Sequence, residues 1–468
     1  MSLLVFLSTG CKKFLDVNTD PNNPLKVQES LILSPVEVTI STNVAGGCFS
    51  LSNYNGVAEI TSYWTQQIAL NQLQPQVDNY KLPSSLTDQP WITQYTSVLM
   101  NLKLINDEAE EKGHHSYGVI SKILTAYTLG ITTDMWGDVP YSKAFQGAAN
   151  LKPTYDKQED IYKTIQSLLD QAISENENQP VGGVVPGTDD FIYGGDMSLW
   201  EKFAYTLKAR YYMHLTKAPG YSATTQAGLA LAALQKGFSS VADEANFSAY
   251  TSTAGSESPW YENVDPSQGG VVLASTLINT LVNRNDPRLP IIAKKGSGGS
   301  YLGRVIGSDP DPNYKVYSGI NSFYAAINAP VSIVSYSEAL FLKAEATFIT
   351  SGAAAANSIY VSAINSNMSK LGLDTTSTSV TSYITSRGTL TSGNAIQQII
   401  EDKFIANFLS IENFNDWRRT GFPTLSIVQN PYTATIPRRF SYPLGEITSN
   451  PQPQQSALVT DRVWWDAQ

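Results

Sequence analysis

Residues 399–423 read IIEDKFIANFLSIENFNDWRRTGFP, and this segment sets the interpretation of the whole chain. Its apolar side chains recur at steps of three and four residues: Ile400, Phe404, Phe408, Ile411, Phe414 and Trp417. That spacing places them on one face of an α-helix. Gly421 and Pro423 follow the basic pair Arg418 and Arg419, a pattern that stops helices. The segment therefore predicts one core helix of a large helical domain.

The overall composition narrows the class of protein. The chain has 468 residues, of which 42% are hydrophobic, 15% charged and 10% aromatic, and its formal net charge is −10. A negative charge of this size repels phosphate backbones and anionic lipid surfaces, so a nucleic-acid-binding function is excluded. Few charges together with many tyrosines favour an extracytoplasmic protein that meets polar, neutral ligands.

Apolar residues also recur at helical spacing through the rest of the chain, in paired segments. One stripe runs from Trp91 to Ile105 and the next from Tyr117 to Ile131, with a break at Gly113. Two antiparallel amphipathic helices with a short break form the unit of a tetratricopeptide-like array. Further candidate helices are residues 25–44, 49–73, 156–173, 200–215, 336–349, 353–371 and 396–417. The pattern predicts a mainly α fold built from recurring helix pairs.

Two long segments interrupt the helical pattern, at residues 75–90 and 238–330. Both are rich in Pro, Gly, Ser, Asn and Tyr, and the second is too long to be one connection in a compact domain. We expect residues 238–330 to form a loop-rich, non-repetitive lobe packed on a helical array made mainly of residues 25–237 and 331–420.

The N-terminal residues have the pattern of an anchor and a tether. The run LLVFLSTGC, residues 3–11, resembles a bacterial lipoprotein signal that ends at a lipid-acceptor cysteine, Cys11. The pattern predicts that residues 1–10 are removed and that Cys11 carries fatty acyl chains such as palmitate. Residues 11–24 are polar and turn-rich, as in an extended tether. Cys48 then has no partner and is expected to be a small buried hydrophobic residue.

Several motifs, taken in order, resemble those of one family. The motifs are TTDMWGDVPYSKA (132–144), GGDMSLWEKFAYTLKARYYMHL (194–215), NDPRLP (285–290), YSEALFLKAEATF (336–348), FNDWRRTGFP (414–423), IPRRFSYPLGEITSNP (436–451) and DRVWWD (461–466). Together with the N-terminal pattern they resemble the SusD/RagB family, and in particular its SusD-like starch-binding branch. The resemblance covers nearly the whole chain.

This resemblance implies a fold and a biological role. It implies that residues 25–468 form a single SusD-like domain in which helix pairs build a right-handed superhelical platform. It further implies a non-catalytic lipoprotein at the cell surface, held in the outer membrane by its N-terminal lipid alone. Such a protein captures an oligosaccharide, or in some members a peptide, and delivers it to a SusC-like TonB-dependent transporter. No cofactor is implied.

A glycan site needs exposed aromatic rings for the C–H faces of sugars and amide or charged groups for the hydroxyls. Residues 53–80 and 259–324 have that composition, including Asn71 and Tyr314, and they fall in regions where the family binds ligands. The candidate binding residues are Trp64, Tyr80, Trp260, Tyr261, Tyr301 and Tyr317. The helical spacing of Trp64 also fits a core position.

Charged residues offer two competing interpretations. Glu338 and Glu345 share one helix face and would suit either acid–base chemistry or buried ion pairs with Arg418, Arg419, Arg438 or Arg439. In the first interpretation, the two glutamates form ion pairs that stabilise the fold. In the second, the protein is a secreted glycoside hydrolase, which needs two carboxylates at a fixed separation across a cleft. No motif places such a pair.

Metal-binding patterns are weak in this chain. Asp309, Asp311 and Asn313 have the spacing of a calcium loop but lack its glycine and closing glutamate, and the three histidines have no metal-ligand spacing. We therefore predict no metal site, and a turn at residues 309–313.

Overall fold

The computed structural model describes residues 27–47, 56–71, 76–178, 183–264 and 270–467. Cys11, Cys48 and the predicted signal and tether lie outside the described residues. No helix among the residues described is both long and apolar enough to cross a membrane. Within these ranges the protein is mainly helical.

The α-helices account for most of the described chain. They are α1 (Glu29–Thr39), α2 (Val57–Trp64), α3 (Ser84–Ile92), α4 (Met100–Lys112), α5 (His115–Trp136), α6 (Gln158–Asn178), α7 (Met197–His214), α8 (Ala223–Leu234), α9 (Pro259–Asn263), α10 (Ser275–Asn283), α11 (Leu289–Ile292), α12 (Ser322–Ala325), α13 (Tyr336–Ser351), α14 (Ala353–Lys370), α15 (Thr378–Arg387), α16 (Ala395–Ala406), α17 (Glu412–Thr420) and α18 (Leu444–Ser449). A π-helical stretch, Ile40–Val44, extends α1. A second one, Thr93–Leu99, joins α3 to α4.

Consecutive helices pack against each other as the paired stripes predict. Helix α4 packs on α5, α5 on α6, α7 on α8 and α13 on α14, while α13 also packs on α8 and α16 and so joins the two parts of the array. Gly113 ends α4 in a left-handed conformation with φ of 72°, and α5 begins two residues later. The tetratricopeptide-like, mainly α fold predicted from the sequence is confirmed.

Strands are short and pair in antiparallel twos. They are β1 (Ile68–Leu70), β2 (Ala245–Phe247), β3 (Val271–Leu273), β4 (Ala293–Lys294), β5 (Gly319–Ile320) and β6 (Val331–Val334). Strand β1 pairs with β3, β2 with β6 and β4 with β5. Residues 238–330 contain β2 to β5 and the short helices α9 to α12, so their described parts consist of small elements joined by turns.

Two expected helices differ from the structure. The described part of residues 49–73 contains helix only at α2; Gln66 then takes a positive φ of 60°, and β1 follows. Residues 399–423 form two helices, α16 and α17, separated by a break in which Leu409 has a φ of 68°. Apolar spacing alone missed this break because Phe408 and Ile411 remain buried on either side of it.

An aromatic cluster ties the C-terminal segments to the early helices. The ring of Trp64 lies 5.5 Å from Phe414 and 5.3 Å from Phe440, and Phe440 also meets Trp136 edge-on at 5.3 Å. Trp136 in turn meets Trp91 at 5.2 Å. Edge-on aromatic pairs of this kind stabilise beyond the area that they bury. The cluster makes residues 440 and 414 part of the same core as α2 and α5.

Candidate ligand-binding site

Three of the aromatic residues proposed for the site have buried rings. Trp64 is fully buried, and its indole Nε1 donates to the Val77 carbonyl at 3.1 Å. Tyr80 is also fully buried, and Trp260 is only 4% exposed. All three rings are packed in the hydrophobic core rather than exposed as a stacking site needs, and Trp260 also lines a small cavity of about 110 Å³.

The other three aromatic residues reach the surface. Tyr261 is 42% exposed, and Tyr301 and Tyr317 are half-buried. The Lys295 ammonium lies 5.3 Å from the centre of the Tyr301 ring, and the Arg304 guanidinium lies 5.2 Å from that of Tyr317. These three rings stay available as parts of a surface site, and two of them, Tyr301 and Tyr317, lie beside cations.

A pocket of about 370 Å³ opens beside the paired strands β1–β3 and β4–β5. It brings together residues from both segments that the sequence singles out. Its lining is Asn71, Val264, Gly270, Val271, Val272, Lys294, Lys295, Gly296, Ser297, Tyr314, Lys315, Tyr317, Gly319 and Ile320. We call this the lobe pocket. It takes in Tyr317 among the predicted residues, whereas Tyr261 and Tyr301 are not part of its lining.

Strand pairing places the walls of the lobe pocket. Leu70 is opposite Val271 in the β1–β3 register, so Asn71 directly follows the strand at this end of the sheet. Lys294 is opposite Gly319, and beyond it the Ser297 amide donates to the Lys315 carbonyl at 2.9 Å. The backbones approach closely here, because a Cβ on Gly296 would lie 1.9 Å from the Val316 carbonyl oxygen. Glycine is thus required by close approach.

The side chains of the lobe pocket combine an amide and two aromatic rings. Asn71 is only 4% exposed, and its Oδ1 accepts no hydrogen bond within the described structure. A buried amide oxygen without a partner carries a desolvation cost that a ligand hydroxyl can remove. Tyr314 and Tyr317 are half-buried and line the same pocket from the segment 314–317. Such a set suits a sugar, which needs both stacking and hydrogen bonding.

The turn before Tyr317 is held by its own hydrogen bonds. The Tyr317 hydroxyl donates to Asp311 Oδ2 at 2.7 Å, and the Asn313 amide donates to Asp311 Oδ1 at 2.8 Å. The Tyr317 hydrogen bond lowers the pKa of the Asp311 carboxyl. Asp311 thus accepts hydrogen bonds at both of its carboxylate oxygens, and Arg304 donates to the Asp309 carbonyl at 2.7 Å. These bonds organise residues 309–313 as a turn.

Three lysines also line the lobe pocket, and no sequence motif marks them as binding residues. Lys294, Lys295 and Lys315 line it with exposed side chains, and none of them has a carboxylate within ion-pairing distance in the described residues. They lie apart in the sequence, at positions 294–295 and 315, so only the strand pairing shows that they share a site. Isolated lysines in a loop-rich segment are usually solvated and gave no signal.

A larger groove of about 1040 Å³ lies in the helical array, between α5, α6, α7 and α8. Its carboxylates are already engaged. Glu175 accepts from Lys122 at 2.8 Å and contacts His115 at 3.1 Å, and Asp170 pairs with Lys208. Glu175 and Asp170 are thus ion-pair partners that link the helices around this groove.

The two glutamates of α13 form buried ion pairs. Glu345 pairs with Arg419, whose NH2 donates to Oε2 at 2.8 Å. Glu338 pairs instead with Arg210, whose Nε and NH2 donate at 2.7 and 2.9 Å. This arginine, on α7, was not among the expected partners, because a sequence cannot show which of many cations faces a given carboxylate.

Arg418 differs from the expectation. Its guanidinium donates to the carbonyls of Asp134 and Arg438 at 2.7 and 2.8 Å, and it stacks 4.6 Å from the Trp465 ring. Burial lowers the pKa of Arg418 to about 10, which leaves it charged at neutral pH. Arg418 therefore fastens backbone segments rather than forming the ion pair predicted for it.

Asp134, His214 and Glu412 form a buried cluster with the residue types of a metal site. Each has hydrogen-bond partners. His214 Nε2 contacts Glu412 Oε2 at 2.8 Å and His214 Nδ1 contacts the Tyr162 hydroxyl at 2.9 Å, while Trp465 Nε1 donates to Asp134 Oδ1 at 2.9 Å. This network joins α5, α7, α17 and the C-terminal segment, and its donors and acceptors satisfy one another.

Comparisons with known proteins agree with this fold. A family model described as "Starch-binding associating with outer membrane" matches residues 21–443. A chitin-binding protein is 24% identical with a TM-score of 0.78, covering 94% of this chain and 100% of its own. A SusD/RagB family protein from Bacteroides thetaiotaomicron is 25% identical with a TM-score of 0.78, covering 94% and 99%.

A further solved structure, a chitin-binding SusD homolog from Flavobacterium johnsoniae, is 21% identical with a TM-score of 0.79, and the match covers 94% of this chain and 98% of that one. No protein with a curated description matches the sequence. The family match extends over the helical array and the lobe alike. The chain belongs to the SusD-like family of starch-binding proteins that associate with the outer membrane.

Proposed function

We propose that this protein is a non-catalytic glycan-binding lipoprotein of the cell surface, which captures an oligosaccharide in the lobe pocket and delivers it to a SusC-like TonB-dependent transporter. Membership of a starch-binding, outer-membrane-associated family supports glycan binding. The observation that supports the assignment of the site is the lobe pocket itself, which Asn71, directly after β1, lines together with Tyr314 and Tyr317 of the lobe.

The chemistry of the lobe pocket suits saccharide binding. The half-buried rings of Tyr314 and Tyr317 offer apolar faces, and Asn71 Oδ1 is an acceptor for a sugar hydroxyl. A volume of about 370 Å³ accommodates one or two sugar rings, since ligand pockets start at about 300 Å³. The ligand therefore binds through one end or one short segment, with the remainder in solvent.

The same pocket supports binding without turnover. None of the described residues that line it is Asp or Glu, so a pair of carboxylates for glycoside hydrolysis is missing from its lining. Incubation with starch, chitin and other oligosaccharides, followed by a reducing-end assay, tests this part of the proposal. Release of sugar ends at catalytic rates would contradict it.

The binding role is tested by titration calorimetry with a panel of neutral and acidic oligosaccharides and with peptides. We expect a saccharide to bind the intact protein and to bind the Tyr314→Ala variant more weakly. Tyr432→Ala is the matched control, because Tyr432 is 69% exposed and does not line the lobe pocket. Binding of peptides and no saccharide would assign the protein to peptide uptake instead.

Delivery and anchoring are the finer parts of the proposal. Its lipid attachment rests on Cys11, which the sequence places at the end of a lipoprotein signal pattern. Delivery predicts a stable complex with a SusC-like transporter in the membranes of the source organism. Co-purification of that transporter with the tagged protein from membranes tests delivery, and failure to recover it under mild detergent would contradict this part alone.

A further inference from the structure

We infer that the lobe pocket selects an acidic oligosaccharide, one whose sugars carry a carboxylate or sulfate group. This inference rests on the proposed saccharide-binding function and specifies the chemical class of the ligand. It is carried by Lys294, Lys295 and Lys315, which line the lobe pocket beside Asn71, Tyr314 and Tyr317.

The placement of the lysines is fixed by backbone geometry. Lys294 lies in β4 opposite Gly319 of β5, and the Lys315 carbonyl accepts from the Ser297 amide at 2.9 Å. The β4–β5 pairing and the hydrogen bond between Ser297 and Lys315 therefore bring positions 294–295 and 315 to the same pocket. Preorganised cations lose less freedom when they bind an anion than cations on a flexible loop.

The charges at this rim stand out from the rest of the molecule. The chain has a formal net charge of −10, from 31 basic and 41 acidic residues, yet three ammonium groups line this one pocket. The described acidic side chain in contact with the lining, Asp311, is held by the Tyr317 hydroxyl and the Asn313 amide. The lysines thus have no carboxylate partner within the described ranges.

A second feature points independently to a polar ligand in the same place. Asn71 is 96% buried and lines the lobe pocket, and its Oδ1 has no partner in the part of the chain described. A sugar hydroxyl satisfies this acceptor, while an acidic substituent on the same sugar reaches the lysines at the rim. Neutral starch or chitin would use the amide and the rings but leave the ammonium groups unpaired.

Hydrogen bonds from a lysine ammonium group to an anionic group are stronger than those to a neutral group, so they favour acidic over neutral saccharides. This preference is measured by comparing two ligands that differ in charge. The probes are an oligogalacturonide and its methyl ester, which share the same sugar rings and differ in the charge of the carboxylates and in the added methyl groups. A sulfated galactan oligosaccharide and its desulfated form make the second pair. We expect the acidic member of at least one pair to bind roughly tenfold more tightly than its neutral partner, and its affinity to fall as salt rises.

Substitutions of the pocket lysines test whether these residues cause the preference for acidic saccharides. Lys294→Gln and Lys315→Gln should each reduce the affinity for the acidic ligand by several-fold and reduce that for its neutral partner less, so that the ratio of the two affinities falls toward one. Lys343→Gln is the control, since Lys343 is an exposed lysine of α13 outside the lobe pocket. Thermal unfolding curves that match wild type show that each variant is folded.

The possible outcomes distinguish a failure of acidic selectivity from a failure of the proposed saccharide binding. Equal affinity for acidic and neutral members of both pairs would overturn the acidic selectivity and leave saccharide binding intact. Selective binding that Lys343→Gln reduces as much as Lys294→Gln would also overturn it. Binding of a glutamate-rich peptide and no saccharide would overturn both, because it would show a charge-selective peptide site.

Discussion

Gln67, in the turn after α2, and Leu409, in the break between α16 and α17, are 342 positions apart and share a hydrogen bond of 2.9 Å from the Leu409 amide to Gln67 Oε1. Gln67 Nε2 also donates to the Phe404 carbonyl at 3.3 Å. One fully buried side chain thus satisfies a donor and an acceptor that the helix break leaves open.

We predict that Gln67→Leu lowers the free energy of unfolding by about 1–3 kcal/mol, because the buried Leu409 amide loses its acceptor, while the Phe404 carbonyl still accepts from the Asn413 side-chain amide at 3.1 Å. Chemical denaturation monitored by circular dichroism measures the change. Gln235→Leu serves as the control, since Gln235 is exposed at the end of α8 and should change stability by less than about 0.5 kcal/mol. Similar losses in both variants would refute the role of Gln67.

The ion pair between Glu345 and Arg419 gives a second prediction. Both residues are buried, so Glu345→Ala leaves a guanidinium without its main counter-charge and should cost about 3–5 kcal/mol of stability. Ligand affinity should not change. Asp107→Ala is the comparison, because its pair with Lys103 is exposed and worth less than about 0.5 kcal/mol. A folded Glu345→Ala protein that no longer binds saccharide would show a role in the site.

Stability should also depend on pH through Asp402. Burial alone would raise the pKa of this carboxyl, but Arg387 at 2.9 Å and Arg288 at 3.1 Å hold the pKa below its ordinary value. A carboxyl with a lowered folded-state pKa stabilises the protein fully above the unfolded-state pKa of about 3.9, and this contribution is lost as pH falls through the folded-state pKa.

We therefore expect the free energy of unfolding to decrease steeply below about pH 4, and the difference between wild type and Asp402→Asn to shrink over the same interval. Urea titrations from pH 7 to pH 3 measure both quantities. Asp160→Asn, at an exposed position of α6, should follow the wild-type profile. A constant difference between wild type and Asp402→Asn at all pH values would contradict the linkage.

Trp260 and Tyr261 are neighbours with opposite expected effects. Trp260 is 4% exposed, so Trp260→Ala should remove about 3–5 kcal/mol of stability through the cavity it leaves. Tyr261 is 42% exposed, and Tyr261→Ala should unfold like wild type. Thermal melts combined with affinity gels containing the bound saccharide separate packing from binding. Reduced retention of a normally stable Tyr261→Ala protein would extend the site to α9.

Cys11 offers a test of anchoring. Cys11→Ser should abolish incorporation of labelled palmitate and move the protein from the membrane fraction to the soluble fraction, since acyl chains supply the affinity for the bilayer. Cys48→Ser is the matched control and should stay membrane-bound. Labelling of the Cys11→Ser protein would show that another residue carries the lipid.

Much of the helical array follows from the sequence, whereas its interruptions do not. The stripes at 117–131 and 353–371 correspond to α5 and α14, because apolar residues at steps of three and four over this length fit an α-helix and not a strand. The stripe at 399–423 continues across a break whose backbone groups are satisfied partly by the nearby Asn413 side chain and partly by Gln67, far away in the sequence. Periodicity reports local preference and contains no information on such distant partners.

The candidate site was only partly predictable for a similar reason. Composition identified the segments that hold Asn71, Tyr314 and Tyr317, but it could not separate exposed rings from buried ones, as Trp64 and Tyr80 show. The lysines of the lobe pocket escaped notice because their proximity arises from strand pairing. A polar rim built from separate strands becomes visible only once the register is known.

The contact between Trp465 and Asp134 spans 331 positions, and it has a consequence for how the protein is made. The central hydrogen-bond network lacks one of its donors until Trp465 has been added to the growing chain. Earlier helices can form on the nascent chain, yet their charged interior stays incomplete. A polypeptide that delays its final consolidation in this way remains suited to threading through an export channel before it matures on the far side.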